Sequence, residues 1–125
     1  AAGVRAIKIS KDDAVIGAGV VKSGDNNAEI LTLSESGYGK RTKIKEYKVQ
    51  KRGGSGILTA KVTGKTGQLV SSHAIIGQTE LLAISKQGQI LKTTIKSIRK
   101  AGRATQGVRI MKLDKGDELV GTVCL

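Results

Sequence analysis

The stretch at residues 3–9, which reads GVRAIKI, returns twice along the chain. Residues 56–62 read GILTAKV and lie 53 positions further on, and residues 107–113 read GVRIMKL and lie another 51 positions on. A second stretch obeys this spacing, because EILTLSESG at 29–37 matches ELLAISKQG at 80–88, again 51 positions apart. The 125 residues therefore form one fragment of a repeated domain, with units of roughly 3–55, 56–106 and 107–125.

The distribution of glycine predicts an all-β fold. The chain has 17 Gly and no Pro, and the glycines flank short β-branched runs, as turns between strands require. Two short segments, at 43–47 and 94–99, favour a helical turn. The predicted strands cover residues 4–9, 14–21, 29–33, 40–44, 57–62, 68–73, 80–84, 90–94, 108–113 and 118–123, so that about four strands fill each period.

Four strands in about fifty residues is the size of one propeller blade. Because such rings close at about 4–8 blades, the sequence predicts an incomplete ring of about two blades, each of about four antiparallel strands. The chain is then expected to belong to a larger domain or to assemble with itself, with unpaired strand edges at both ends. A compact β-sandwich or barrel with an internal duplication is the alternative.

The sequence is strongly basic, with 22 Lys and Arg against 10 Asp and Glu and a formal net charge of +12. This balance indicates a polyanionic partner, nucleic acid first and an acidic membrane surface second. The cations concentrate at residues 40–65 and 86–115, where Glu46 and Asp114 are the only acids. These segments correspond in two repeats, so radial blades would place them side by side as a positive track. The alternative is a solvated face that serves only solubility.

Duplex DNA suits such a track, because its phosphates carry one charge per about 1.7 Å of helix axis. Proteins that bind single strands or RNA stack bases on aromatic side chains. This chain has only Tyr38 and Tyr47 and contains no Phe or Trp. The sequence therefore favours contact with the backbone of double-stranded DNA over base stacking. The alternative is a basic β-module that binds RNA or ribosomes.

Three stretches carry a further signal: GYGKRT at 37–42 with Glu46-Tyr47, QKRGGSGI at 50–57 and GRATQGVR at 102–109. They resemble the C-terminal domain of DNA gyrase A, and the homologous subunit of topoisomerase IV carries a related domain. The resemblance implies a β-pinwheel, a propeller-like ring that wraps duplex DNA along its outer rim and supports ATP-dependent supercoiling. It also implies that this chain is a fragment without catalysis or cofactor of its own, and that its parent is a bacterial, cytoplasmic and nucleoid-associated type II DNA topoisomerase that hydrolyses ATP. The implied partners are duplex DNA, the breakage-reunion domain and the ATPase subunit.

The heptapeptide at residues 50–56 is similar to the gyrase A box of that family, with Ser55 where the motif usually has Lys or Arg. Its chemistry also suits a phosphate. Gly53 and Gly54 allow positive φ and a close backbone approach, Arg52 offers a bidentate fork, and Lys51 offers a point charge. The predicted DNA-binding residues are Lys40, Arg41, Lys43, Lys48, Gln50, Lys51, Arg52, Gly53, Gly54, Ser55, Gly56, Lys100 and Arg103.

The sequence lacks the residues that a P-loop, an intrachain disulfide or a cysteine-built zinc site would need. Gly64-Lys65-Thr66 resembles the end of a P-loop, but Thr59 stands where its first glycine belongs. Cys124 is the only cysteine and His73 the only histidine, which excludes an intrachain disulfide and a cysteine-built zinc site. The apolar stretch at 14–21 is far shorter than the roughly 20 residues that cross a bilayer. The sequence therefore predicts no catalytic site, metal or membrane span, and a cytosolic setting.

Overall fold

A computed structural model describes residues 2–22, 24 and 27–125 of the chain. Across these ranges the secondary structure consists of strands and two 3-10 turns, Ile44–Glu46 and Ile95–Ser97, without an α-helix. Nothing in the described part of the chain is a helix of the length and apolarity that a bilayer crossing requires. The strands are β1 (Glu29–Ser34), β2 (Tyr38–Lys43), β3 (Leu69–Ile75), β4 (Glu80–Ser85), β5 (Ile90–Thr94), β6 (Val108–Arg109) and β7 (Leu119–Cys124).

The strands form two antiparallel sheets, in the orders β3-β1-β2-β6 and β5-β4-β7. Their registers repeat at the spacing seen in the sequence: Leu31 pairs with Arg41 in the first sheet, and Leu82 pairs with Lys92 in the second. A register shift also recurs, at Leu33/Ser34 and at Ile84/Ser85. The two sheets are therefore copies of one unit, and the predicted all-β fold with antiparallel blades is confirmed.

One aliphatic core joins the two sheets. Leu31 and Leu33 of β1 and Leu81 and Ala83 of β4 are each at most 1% exposed, and they belong to a single cluster with Leu119 of β7. Because successive side chains of a strand point to opposite faces, Leu31 and Leu33 share one face of the first sheet and Leu81 and Ala83 share one face of the second, and the two faces meet in this cluster. Burying each leucine stabilises the fold by about 1.5–3 kcal/mol relative to exposure, so the blades are held together without Phe or Trp.

The first sheet receives its outer strand, β6, from a segment that lies in the chain between two strands of the second sheet, β5 and β7. β6 pairs with the start of β2, where Gly39 faces Val108. The backbones approach so closely that a Cβ on Gly107, whose φ is +79°, would lie 2.4 Å from the carbonyl oxygen of Gly39. Only glycine fits there. In the second sheet, no described residue pairs with the outer edge of β5.

Three predicted strands, at 4–9, 14–21 and 57–62, are wrong, because the structure assigns no strand there. Residues 2–20 are exposed, and within 4–9 only Ile7 forms an isolated bridge, to Gly54. The segment at 14–21 runs beside β3, with a Cβ on Gly17 falling 3.1 Å from the Ser72 carbonyl oxygen, but it forms no ladder. Residues 57–58 are the repeat counterparts of β6, but they pair with no strand in the described part of the chain.

The strand predicted at 108–113 is shorter in the structure, where β6 ends at Arg109. The reason is that the amides of Ile110 and Met111 both donate to the carbonyl oxygen of Gly37, at 2.8 and 3.2 Å, and so leave the ladder. Both predicted helical turns are present, as the short 3-10 turns that follow β2 and β5. The chain thus leaves β2 and β5 by the same kind of turn.

Candidate nucleic-acid interface

Each 3-10 turn leads into a basic loop, and the two loops are repeat counterparts. We call residues 47–56 the first exit loop and residues 98–107 the second exit loop. With the offset of 51 residues, Lys48 corresponds to Arg99 and Arg52 corresponds to Arg103. We define the positive track as the exposed cations of these loops and of the turns before them: Lys43, Lys45, Lys48, Lys51, Arg52, Lys96, Arg99 and Lys100.

The second exit loop crosses the outer edge of β2 and so brings the two basic segments together. The amide of Arg41 donates to the carbonyl oxygen of Arg99 at 3.1 Å, and the amide of Ala101 donates to that of Arg41 at 2.8 Å. Further along the loop, a Cβ on Gly102 would lie 3.5 Å from a carboxylate oxygen of Glu46, in the first 3-10 turn. The cations after β2 therefore adjoin those after β5.

Lys40 does not face solvent, and its predicted place on the DNA-binding surface is corrected. The residue is 1% exposed. Its Nζ donates to the carbonyl oxygens of Gly102 at 2.5 Å and Arg103 at 2.6 Å, and to Oγ1 of Thr105 at 3.0 Å. Desolvation lowers the pKa of the ammonium, and the charge of Glu46 partly offsets that effect. All three ammonium protons have acceptors within the fold.

Arg41 is corrected for the same reason, since it is 9% exposed. Its Nε donates to the Ile98 carbonyl oxygen at 2.7 Å, and its Nη2 donates to that of Lys96 at 3.1 Å. Its Nη1 forms an ion pair with Glu29 at 3.0 Å. Lys100 also approaches Glu29, at 3.6 Å, while its own side chain remains 54% exposed. The guanidinium charge of Arg41 is thus neutralised inside the protein.

The heptapeptide exposes most of its residues, but the amides of Gly53 and Gly54 are bonded within the fold. Gly53 adopts a positive φ of +76°, as expected, whereas Gly54 does not. The Gly53 amide donates to the carbonyl oxygen of Ala6 at 3.0 Å, and the Gly54 amide donates to that of Lys51 at 3.3 Å. Both amides expected to hold a phosphate are therefore occupied. The structure leaves exposed the residues Gln50, Lys51, Arg52, Gly53, Ser55 and Gly56, with Gly54 partly buried.

Arg103 lies at the junction of the two exit loops. Its Nη1 donates to the carbonyl oxygen of Leu58 at 2.9 Å, and the residue is half-buried. Next to Leu58, the hydroxyl of Thr59 bonds to that of Tyr47, which ends the first 3-10 turn. Arg103 is therefore held by the fold, whereas its counterpart Arg52 is exposed. Of the thirteen predicted residues, Lys43, Lys48 and Lys100 are also exposed.

The titratable groups away from the track do not gather into a metal site. Among residues 2–22, 24 and 27–125, no group of three or more His, Cys, Asp or Glu side chains is placed to hold an ion. Nε2 of His73 on β3 lies 2.6 Å from Oγ1 of Thr122 on β7. Burial lowers the pKa of His73 and raises the pKa of Cys124. His73 thus bridges the two sheets at their contact.

A family model described as DNA gyrase C-terminal domain, beta-propeller, matches residues 1–22, 28–75 and 79–125. The chain belongs to the DNA gyrase C-terminal domain family. The DNA gyrase A protein of Staphylococcus epidermidis is 41% identical over 123 residues, which cover 98% of this chain and 14% of that protein. The DNA gyrase A protein of Mycolicibacterium smegmatis is 42% identical over 118 residues, covering 94% and 14%. The chain thus spans about a seventh of the length of these relatives.

Solved structures of the gyrase C-terminal domain family have the same fold. The C-terminal domain of DNA topoisomerase IV superposes with a TM-score of 0.83 and 25% identity, over 96% of this chain and 36% of that one. A DNA gyrase A C-terminal domain superposes with a TM-score of 0.74 and 31% identity, over 80% and 34%. The predicted resemblance and the propeller-like fold are confirmed.

The sequence-based site omitted two exposed cations that this family member gathers around Tyr38. Nζ of Lys65 lies 5.6 Å from the centre of the tyrosine ring, and the guanidinium carbon of Arg109 lies 5.8 Å from it. Arg109 beside the hydroxyl contributes most to lowering the pKa of Tyr38, and Lys65 adds to the effect. No sequence signal linked Arg109 to Tyr38, because their contact depends on β6 joining the first sheet.

The burial of Lys40, by contrast, had a signal in the sequence. Its repeat counterpart is Leu91, an apolar residue on the second strand of the second sheet. Positions that correspond in two copies of one blade face the same way, so an apolar counterpart indicates an inward direction. Comparing the copies position by position would have separated Lys40 from Lys48, whose counterpart is Arg99.

Proposed function

We propose that this chain binds duplex DNA through the positive track, without sequence preference, and bends it as the DNA-wrapping part of a gyrase-type topoisomerase. One observation carries the proposal: the second exit loop crosses β2, so that the basic segments of the two blades lie beside each other. A surface that served only solubility would not need its cations gathered at corresponding places in successive repeats.

The character of the track favours phosphate contact over base reading. Exposed lysines approach phosphates as flexible point charges that carry no sequence information. Phosphate contacts release condensed counterions, so affinity falls steeply with salt. Bending a site of 20–30 base pairs by 40–90° costs about 1–6 kcal/mol. Contacts with a second blade, made only when the duplex bends, can offset that cost.

The alternative of an RNA-binding module is less favoured, because the two aromatic residues are poorly placed to stack on bases. Tyr38 is 6% exposed. Tyr47 is half-buried, and its hydroxyl is bonded to Thr59. Recognition of single-stranded RNA relies on aromatic side chains with an open face. Tyr38 is buried and Tyr47 only partly exposed, which disfavours base stacking.

The partners and setting proposed for the longer protein follow from the family. A wrapped duplex has to be passed to a domain that cuts and rejoins DNA, so the proposed partners are a breakage-reunion domain and an ATPase subunit. The relatives named above are bacterial. We place the protein in the bacterial cytoplasm, at the nucleoid, and propose no cofactor for this chain.

Competition binding tests the proposal. A fluorescent duplex bound to the chain is challenged with an unrelated DNA duplex and with a folded RNA hairpin of equal length. The two DNA duplexes should compete equally, and the hairpin should compete more weakly. Lys48→Ala and Arg99→Ala should each weaken binding, whereas Lys11→Ala, an exposed cation outside the track, should not. Stronger competition by the hairpin, or equal losses in all three variants, would overturn the proposal.

A further inference from the structure

Two consecutive residues of β2 fasten the second exit loop and the turn before it to the first blade. Lys40 and Arg41 point to opposite faces of their strand, yet both reach the segment 96–105. Together they make five side-chain hydrogen bonds to it, at 2.5–3.1 Å. Four of the five acceptors are backbone carbonyl oxygens, those of Lys96, Ile98, Gly102 and Arg103.

The two cations are not needed merely to build a blade. Their counterparts in the second sheet are Leu91 and Lys92. Leu91 has no ammonium, and the Lys92 side chain is 65% exposed where it pairs with Glu80. The second sheet therefore forms with neither charge buried. Burying a cation is costly unless its donors are satisfied. The burial of the two cations in the first sheet is therefore explained by the contact that they make with the second blade.

This contact determines the position of the segment 96–105. The segment that the pair holds carries Arg99 and Lys100, which are exposed members of the positive track. Backbone hydrogen bonds between Arg41 and this segment add to the attachment. Fixing the segment on β2 fixes how far the cations of the second blade lie from those of the first, and in which direction they face.

We propose that Lys40 and Arg41 form an inter-blade clasp that sets the curvature of the bound duplex without touching it. This inference rests on the proposed function. The two are positioning residues: they act through the second exit loop and the turn before it, which present cations to phosphate. Loss of the clasp should free the segment and relax the bend, while the exposed charges that supply affinity remain.

The fastening itself is tested without DNA, by amide hydrogen exchange in the 125-residue chain. Lys40→Met keeps the length of the side chain but removes the ammonium donors. The Ala101 amide, which bonds to the Arg41 carbonyl oxygen, should then exchange about tenfold faster or more. The amide of Leu82, inside the second sheet, should keep its protection. Unchanged exchange at Ala101 would overturn the clasp.

The effect on curvature is tested with a duplex of about 30 base pairs that carries a donor and an acceptor dye at its ends. At saturating protein, Lys40→Met should lose about half or more of the energy-transfer change that the wild-type chain produces, with affinity within about twofold of wild type. The control, Lys48→Met, should bind several-fold more weakly yet keep the full change at saturation. Thr105→Val removes the hydroxyl that accepts from Lys40 and donates to the Gly102 carbonyl oxygen, changes no charge, and should give an intermediate change.

Each result separates the clasp from the proposed function. If Lys40→Met weakens binding as Lys48→Met does and leaves the energy transfer at saturation unchanged, Lys40 acts as a DNA contact and the clasp is overturned. If Lys40→Met fails to fold, Thr105→Val decides, and an unchanged bend in that variant overturns the clasp. If the wild-type chain binds no duplex, the proposed function and the curvature role both fail, while the exchange at Ala101 still decides the fastening.

Discussion

Arg41 and Glu29 form a 3.0 Å ion pair whose side chains are only 11% and 13% exposed. The counterpart pair in the second sheet, Lys92 with Glu80, has the same 3.0 Å separation but is 65% and 39% exposed. The segment 96–105 covers the first pair, whereas no described residue pairs with the outer edge of β5, on which Lys92 lies. This difference makes the two blades a matched test of what burial does to an ion pair.

Glu29→Gln should destabilise the fold strongly. It leaves the buried guanidinium of Arg41 without a counter-charge, and breaking a buried pair in this way costs about 3–5 kcal/mol. The control, Glu80→Gln, breaks an exposed pair and should cost less than about 1 kcal/mol. Urea unfolding of both variants measures the difference. Equal losses would show that the Arg41 pair is no more important to stability than a surface one.

Gly37→Ala should be far more harmful than Gly88→Ala at the counterpart position. Both glycines have positive φ, +85° and +91°, so each substitution carries backbone strain of about 1–2 kcal/mol. A Cβ on Gly37 would also lie 2.2 Å from the carbonyl oxygen of Met111, whereas a Cβ on Gly88 meets nothing within 4 Å. Overpacking adds about 1–3 kcal/mol. Thermal melting of the two variants tests the expected ranking, which a similar loss in both would contradict.

His73 should make the protein less stable in mild acid. Burial lowers the pKa of its imidazole in the folded state, so the unfolded chain binds a proton more readily. The stability that this neutral histidine allows is present above its unfolded pKa of about 6.5 and is lost as the pH falls towards the folded pKa. Because His73 is the only histidine, His73→Gln should flatten the dependence of the unfolding free energy on pH between about 7.5 and 5. An unaltered pH profile in that variant would contradict the assignment.

Arg52→Ala and Arg103→Ala should affect different properties. Arg52 is exposed, so its loss should weaken duplex binding and reduce the salt slope by about 0.9, with no change in melting temperature. Arg103 donates to the carbonyl oxygen of Leu58, so its loss should also lower stability, by about 1 kcal/mol. Binding and melting, measured on the same samples, separate the two roles. A lost fold in Arg52→Ala would make that residue structural.

The sequence was sufficient to predict the features that recur from one repeat to the next. The 51-residue offset located the two sheets, and the position of the basic segments located the exit loops. Features that depend on contact between repeats were missed. Lys40 and Arg41 were assigned to the surface because the segment 96–105, which covers them, lies more than 50 residues away along the chain.

The wrong strand predictions have a related cause. The β-branched runs at residues 4–9 and 57–62 predicted strands, but a strand also needs a neighbour in register. The heptapeptide shows the same limit, since the sequence could not reveal that Ala6 occupies the amide of Gly53. Local pattern predicts which groups are available, and the fold decides which of them are already bonded.

The salt dependence of duplex binding tests the central claim most directly. The association constant is measured across a salt series on two duplexes of unrelated sequence. Six phosphate contacts would give a slope of log K against log salt concentration near −5, at about 0.9 per contact, and the same slope should hold for both duplexes. A slope near zero, or a preference of more than about tenfold for one duplex, would contradict binding through the positive track.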